Sequence, residues 1–514
     1  MHARPAAALA AFAFVLAACG GNGSSLPAGT TTAQHTLSAG VHRTPALPPP
    51  RLHRVTAADR ARALAAGWLP VTATAPFPNG PGTELLMTDG TVMVQDLCSP
   101  AWYALVPDAN GNYVNGQWIA RASLPSNYAP LYFASAVLSD GKLIVNGGEY
   151  NFCKGADTTL GAIYDPVANT WTPVSPPSGW STIGDAASVV LDNGTYMIGN
   201  CCTSTQAQFN EAAMTWTVVG SGKADSDSEE GWTLLRTGSV LTADVSNAPN
   251  SEQFSPSANA WSSAGTLPVN LVAAAEIGPQ VLRPNNSVFV AGATGHTAIY
   301  HGSWVQGPDF PIVSGKQVDV ADGPATLLTN GNVLVAGSPG IYKKPASFYI
   351  FDGQKLKSIG APPNAANDSS YNVRLLMLPT GQVLDADGSS DVEIYTPAGR
   401  PNASIAPKIS SVPTTLVHGN TYSISGIRFN GISQANAYGD DVQQATNYPL
   451  VRITNNATGH VFYARTHGHS FMGVGSKRTV TTMFDVPATI ETGAGTLVVV
   501  TNGIASTAAS VTVE

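Results

Sequence analysis

The sequence predicts an all-β protein: a seven-bladed β-propeller followed by a β-sandwich of immunoglobulin type. Three observations lead there. An apolar strand, a tight turn and a second apolar strand recur along most of the chain. Tryptophans recur with the same period. The composition, with 51 Gly, 37 Pro and only 11% charged residues, suits short strands joined by many turns. A chain of 514 residues has room for one large repeat domain and an accessory one. The net charge of -8, with no basic run, excludes the clustered Lys and Arg that nucleic-acid binding needs.

The chain begins with a targeting pattern. MHARP is weakly basic, AAALAAFAFVLAA is apolar, and LAACG (Leu16 to Gly20) closes the segment. This resembles the bacterial lipoprotein signal, which implies removal of residues 1–19 up to a lipidated Cys19. Residues 20–53, rich in Gly, Ser, Thr, Ala and Pro, read as a disordered tether. The expectation is an exported monomer, lipid-anchored to the cell envelope at the outer membrane or cell surface. No later run of 18 apolar residues suggests a membrane span.

A short helix over 56–66 comes next. Thr56 is its N-cap, Asp59 stands at N3, and Gly67 ends it. The propeller is expected over residues 54–400. Its inner hairpins are LLMTDGTVMV, AVLSDGKLIV, SVVLDNGTYMI, TLLRTGSVLTA, QVLRPNNSVFVA, TLLTNGNVLVAG and LLMLPTGQVLDA. Turn pairs such as DG and NG are strong hairpin signals. They recur roughly every 50 residues, the period of propeller blades. Third strands such as GAIYDP, QAQFNE and VEIYTP follow. Outer strands open near Trp118, Trp171, Trp216, Trp261 and Trp304, with Leu356 in the next place. The last unit lacks an outer strand, whereas GWLPVTA at Trp68 has no hairpin before it. The N-terminal strand is therefore expected to complete the last blade and close the ring. Beyond a linker, residues 406–514 hold short strands (TYSISGIRF, YPLVRITN, HVFYART, TVTTMFDVP, GTLVVVTNG) that read as the sandwich.

Counting back from each turn gives the residues at the heads of the inner strands. They are Pro81, Tyr132, Asp185, Glu229, Ile277 with Glu276 beside it, Asp322 and Asn372. These circle one mouth of the central channel. The turn at Asn286 leaves the register of Glu276 open. Convergent carboxylates at Asp185, Glu229 and Asp322 could hold a cation or accept hydrogen bonds from sugar hydroxyls. Cys98, Cys153 and the pair Cys201–Cys202 each follow a second strand, so they lie on the same face. No CxxC spacing supports zinc. An even number in an exported chain predicts disulfides, with one bridge between neighbouring blades, Cys98–Cys153.

The stretch RTHGHSFMGVGS, Arg465 to Ser476, places two of the ten histidines on one strand face. With the repeat and the C-terminal sandwich, the chain resembles galactose oxidase and its glyoxal-oxidase relatives, kelch-type propellers with an immunoglobulin-like domain. That resemblance implies a copper-radical site. By position, Tyr132 matches the family's cross-linked tyrosine and Tyr371 its axial tyrosine. His469, with His467 as the near alternative, matches the histidine from the C-terminal domain. Tyr150 stands where the stacking aromatic belongs. Asn372 replaces the histidine expected after Tyr371, and neither Pro81 nor Gly82 supplies the cross-linking cysteine. An asparagine amide is a poorer copper ligand than imidazole. Two functions follow. The first is an envelope-anchored binding module for a glycan, an ion or a protein partner at the propeller mouth, where Asp185, Glu229, Asp322, Asn372 and Tyr150 would contact the ligand. The alternative is a copper oxidase of an alcohol or aldehyde that uses Tyr132, Tyr371 and His469.

Overall fold

The computed structural model describes residues 52–439 and 444–514. The signal segment, Cys19 and the tether as far as Arg51 lie outside the described residues. The first described element is the helix Ala57–Ala65. The Thr56 hydroxyl accepts from the Asp59 N–H at 3.2 Å, and the Asp59 carboxylate accepts from the Thr56 N–H at 3.2 Å. Two otherwise orphaned amides are thereby satisfied. Gly67, at φ +91°, turns the chain into the strand Trp68–Pro70.

The fold is an all-β propeller. From Trp68 to Tyr395 the chain forms seven main antiparallel sheets of four strands, one of which a later segment extends to five, beside two smaller sheets of three and two strands. The inner strands are Pro81–Leu86, Ala134–Val137, Ser188–Val190, Thr233–Leu234, Gln280–Leu282, Ala325–Leu327 and Arg374–Met377. They are buried throughout, as strands packed on both faces must be. Trp68–Pro70 pairs antiparallel with Glu393–Tyr395, with Trp68 opposite Tyr395. The N-terminal strand is thus the outer strand of the last sheet.

The tryptophans tie neighbouring sheets together. The Trp171 Nε1–H donates to Ala122 O at 2.9 Å, Trp216 to Ser175 O at 2.7 Å and Trp261 to Gln206 Oε1 at 3.0 Å. Trp304 donates to Ser251 Oγ at 2.8 Å, and Trp68 to Gly360 O at 2.8 Å. Each ring is apolar enough to pack in the seam and carries one donor for the adjacent sheet.

The C-terminal part is a β structure of nine strands in which Val461–His467 pairs with both Leu450–Asn455 and Thr479–Asp485. Its core holds Leu416, Ile424, Val451, Phe484 and Val499. Among the described residues no helix is long and apolar enough to cross a membrane.

One segment of this C-terminal part enters the propeller's centre. Asn436–Ala437 pairs with the inner strand Ala325–Leu327 and makes it the five-stranded sheet. Around it, Gln434 Oε1 accepts from Leu234 N at 2.8 Å and Asn436 Oδ1 from Met377 N at 2.9 Å. Gln444 donates to Glu84 O at 2.6 Å, and the Tyr448 hydroxyl donates to Leu86 O. The partners belong to four different inner strands, so the segment runs along the channel and satisfies groups on their unpaired edges.

The histidine stretch lies elsewhere. His469 N donates to Ser139 O at 3.0 Å, and Met472 N to Asp192 O at 2.8 Å, both at inner-hairpin turns. Ser139 is seven residues from Tyr132 along the hairpin, roughly 20 Å of extended chain. His467 and His469 therefore sit at the opposite end of the propeller from the mouth and share no site with Tyr132 or Tyr371. The segment that reaches the mouth from the C-terminal part is the one around Tyr438.

Candidate functional site

The mouth is built at the heads of the inner strands and on the loops after the second strands. Backbone conformation singles out its members. Tyr132, Glu229, Asp322 and Tyr342 have φ of +51°, +57°, +46° and +55°. The left-handed region costs a non-glycine residue about 1–2 kcal/mol, so their packing must hold them there.

On one side three carboxylates converge. Oxygens of Glu229, Glu276 and Asp322 lie within 4.8 Å of one another. Tyr342 stands against them. Burial, and then the negative charge of Asp322, Glu276 and Glu229, holds its phenol far above the ordinary tyrosine range. Its ring meets Tyr371 edge to face, with centroids 5.1 Å apart at 84°. Gly439 passes directly beside Asp322 and Gly231, where a Cβ on either glycine would collide.

On the other side Arg374 organises the aromatic groups. Its Nη1 donates to Tyr371 O at 2.8 Å and Asn372 O at 3.0 Å. Its Cζ lies 5.7 Å from the Tyr132 ring centre and 5.0 Å from that of Tyr438, within cation–π range. The Tyr438 hydroxyl donates to Tyr371 O. Tyr150 lies buried beneath, edge-on to Tyr132 at 6.1 Å and 67°. Burial raises the Tyr371 phenol, and burial followed by Glu149 and Asp185 raises that of Tyr150.

Several sequence expectations need correction. Asp185 does not join the carboxylate trio, whose third member is Glu276. The Asp185 carboxylate instead faces the Cys201 thiol, which burial and then Asp185 and Glu229 push up. Asn372 does not offer its amide oxygen to the mouth. That oxygen accepts from Ser369 N and Ser369 Oγ at 3.1 Å and closes the turn Ser370–Asn372. His469 is buried, with Nδ1 2.8 Å from the Thr482 hydroxyl, and burial pushes its pKa down to about 3. The half-buried His467 stands 3.1 Å from Asp485. The sequence reading missed Arg374, Tyr342 and Tyr438. Tyr342 and Tyr438 follow second strands or an inserted segment, where counting from a hairpin turn says nothing. Arg374 opens an inner strand, at an offset not counted.

Cys98 and Cys153 form a disulfide with Cα atoms 5.3 Å apart, joining the loops after the second strands of the first two sheets. Cys201 is buried and reduced. A separate cavity of about 710 Å³, bordered by Asp140, Lys142, Asn193 and Glu211, opens at the hairpin-turn end, away from the mouth.

The donors at the mouth do not fit a copper-radical centre. Among the described residues it offers phenols and carboxylates without imidazole, and its one free thiol, Cys201, is held protonated by burial, whereas imidazole and thiolate are the donors that suit copper. Burial holds the phenols of Tyr342, Tyr371 and Tyr150 protonated. A fixed guanidinium occupies the space between Tyr132 and Tyr438, where a second cation would be repelled.

No family model and no curated protein matches the chain. The chain is similar to several solved structures. A fungal alcohol oxidase of the AA5 family, in complex with copper, is 14% identical and covers 87% of this chain and 99% of its own, with a TM-score of 0.49. Virginiamycin B lyase from Staphylococcus aureus is 9% identical over 64% of this chain and 98% of its own, at 0.46. YCF48 bound to D1 peptide is 11% identical over 65% and 96%, at 0.43.

Proposed function

We propose that the chain is a seven-bladed kelch-type propeller with an immunoglobulin-like domain whose mouth binds a small carbohydrate. The convergence of Glu229, Glu276 and Asp322 across the mouth from Arg374 and its tyrosines carries this reading. Carboxylates accept from sugar hydroxyls, Arg374 donates, and ring faces cover apolar C–H surface. A bare cation would use the trio alone and gain nothing from the aromatic side. Export and a lipid anchor at Cys19 belong to the same proposal. They rest on the LAACG pattern and on the Cys98–Cys153 bridge, which suits an oxidising compartment.

Two assays on the purified protein test the reading. A glycan array should give saturable binding. Copper-treated protein should release no peroxide from galactose, other sugars or small aldehydes. Stoichiometric copper with peroxide turnover would replace this proposal with an oxidase.

A further inference from the structure

A second acidic cluster lies away from the mouth trio, where the last sheet meets the first. Oxygens of Asp385, Asp387 and Glu393 lie within 4.8 Å of one another. Asp385 and Glu393 are fully buried, and Asp387 is 5% exposed. Asp385 stands directly opposite Glu393 in the pairing of Val383–Ala386 with Glu393–Tyr395. The first sheet contributes Glu84, also fully buried, from a strand that packs against Arg374–Met377 and Val383–Ala386. Among the described residues, neither oxygen of Asp385 or Glu84 has a hydrogen-bond partner, and Glu393 has only the Asp391 carboxyl within reach.

The position of Asp385 makes this arrangement unusual. It is the fourth residue after its hairpin turn. The same place in the other sheets holds Val94, Val145, Ile198, Thr242, Val290 and Val335. An unpaired carboxylate in a core position is costly unless something compensates it.

The fourth sheet shows one compensation within the same chain. There Glu252 stands opposite Thr242, as Glu393 stands opposite Asp385, and Asp244 holds the place of Asp387. A fully buried Lys223 pairs within that cluster, with its Nζ 3.0 Å from Glu230 and 3.1 Å from Glu252. Among the described residues the last sheet has no such lysine. Arg374 acts by its charge on Glu84 while its Nη1 donates to Tyr371 O and Asn372 O. Arg60 pairs from outside with Asp391 at 3.0 Å. Lys344 is exposed.

We propose that Asp385, Asp387 and Glu393, with Glu84 facing them, bind one hard divalent cation of the calcium type. All the donors are oxygens, without imidazole or thiolate, which selects calcium over copper or zinc. Carboxylate oxygens bound at about 2.3–2.6 Å to a common ion stand no more than about 5 Å apart, which matches the cluster. Such an ion would clamp the last sheet to the first, at the point where the ring closes without a covalent link.

Calcium content, measured by atomic emission after equilibration in calcium buffer, tests the proposal on the intact protein, Asp385→Val, Glu393→Gln and Asp322→Asn. Asp385→Val installs the residue type of the other sheets. It should hold one equivalent fewer than wild type and should lose the calcium-dependent rise of a few degrees in melting temperature. Glu393→Gln, nearly isosteric, should bind at least about tenfold more weakly, which covers the case of a poorly folding valine variant. Asp322→Asn, at the mouth, should keep the same equivalent, so loss of glycan binding and loss of this ion remain separate results. Equal calcium in wild type, Asp385→Val and Glu393→Gln, including none in all three, would overturn the proposal and leave the carboxyls as protonated acids.

Discussion

At the residue scale, the mouth depends on side chains held in unfavourable backbone conformations. Glu229 carries φ +57° and a carboxylate packed among two others. Glu229→Gly should therefore melt no lower than wild type, because glycine removes a left-handed cost of about 1 kcal/mol or more. It should also lose glycan binding. A clear fall in melting temperature would show that Glu229 serves stability instead. Asp319 offers a second check. It is 4% exposed, and burial pushes its carboxyl up to about 7, against the opposing pull of the Ala321 and Gly340 N–H groups. Its folded pKa exceeds its unfolded one, so folding favours the neutral acid. That contribution is complete below pH about 4 and is lost as pH rises through about 7. Between those values wild type should lose stability relative to Asp319→Asn, read from denaturant midpoints. Parallel curves would contradict this.

At the scale of elements, the hairpins were legible because their turns need left-handed residues and the sequence supplies them. Gly90 and Gly141 sit at φ +78° and +80°. The helix cap was legible because Thr56 and Asp59 have the spacing that satisfies two amides. Counting from the turns placed Tyr132, Glu229 and Asp322 at the mouth. It failed for Glu276, because the turn at Asn286 lacks a clear glycine signal. It also failed for the inserted segment, which has no repeat to count from. The pair His467 and His469 misled because the strand ends at His467 and Gly468, at φ +60°, turns the chain before His469, so His467 meets Asp485 and His469 meets Thr482. The insertion itself can be tested at Gly439. A methyl there would strike the Asp322 carboxylate. Gly439→Ala should fold, since its surroundings at Asn436 and Gln444 are untouched, and should weaken glycan binding at least about tenfold. Unchanged affinity would separate the inserted segment from the site.

At the scale of the whole molecule, the ring is closed by pairing rather than by a covalent link, and its seams are held locally. Tryptophan N–H groups bridge sheets around the outside, while the Cys98–Cys153 bridge joins the first two at the mouth. The bridge spans a sequence separation of 55. Chain entropy gives such a loop about 4 kcal/mol of stabilisation. The double variant Cys98→Ala, Cys153→Ala should lose stability on that scale in chemical denaturation. A loss below about 1 kcal/mol would mean that the loops are held by their packing alone. The two ends of the propeller also differ in kind. The hairpin-turn end receives the histidine stretch as a docking surface. The mouth end gathers strained residues, carboxylates and a guanidinium, and the proposed binding site lies there.

The most direct test of that assignment is calorimetric titration of the strongest array-selected glycan into wild type and Glu276→Gln. The account predicts saturable binding to wild type and an affinity at least about tenfold weaker in the variant, as expected when a buried carboxylate acceptor is replaced. Equal affinities, or no glycan binding by the wild-type protein, would contradict it.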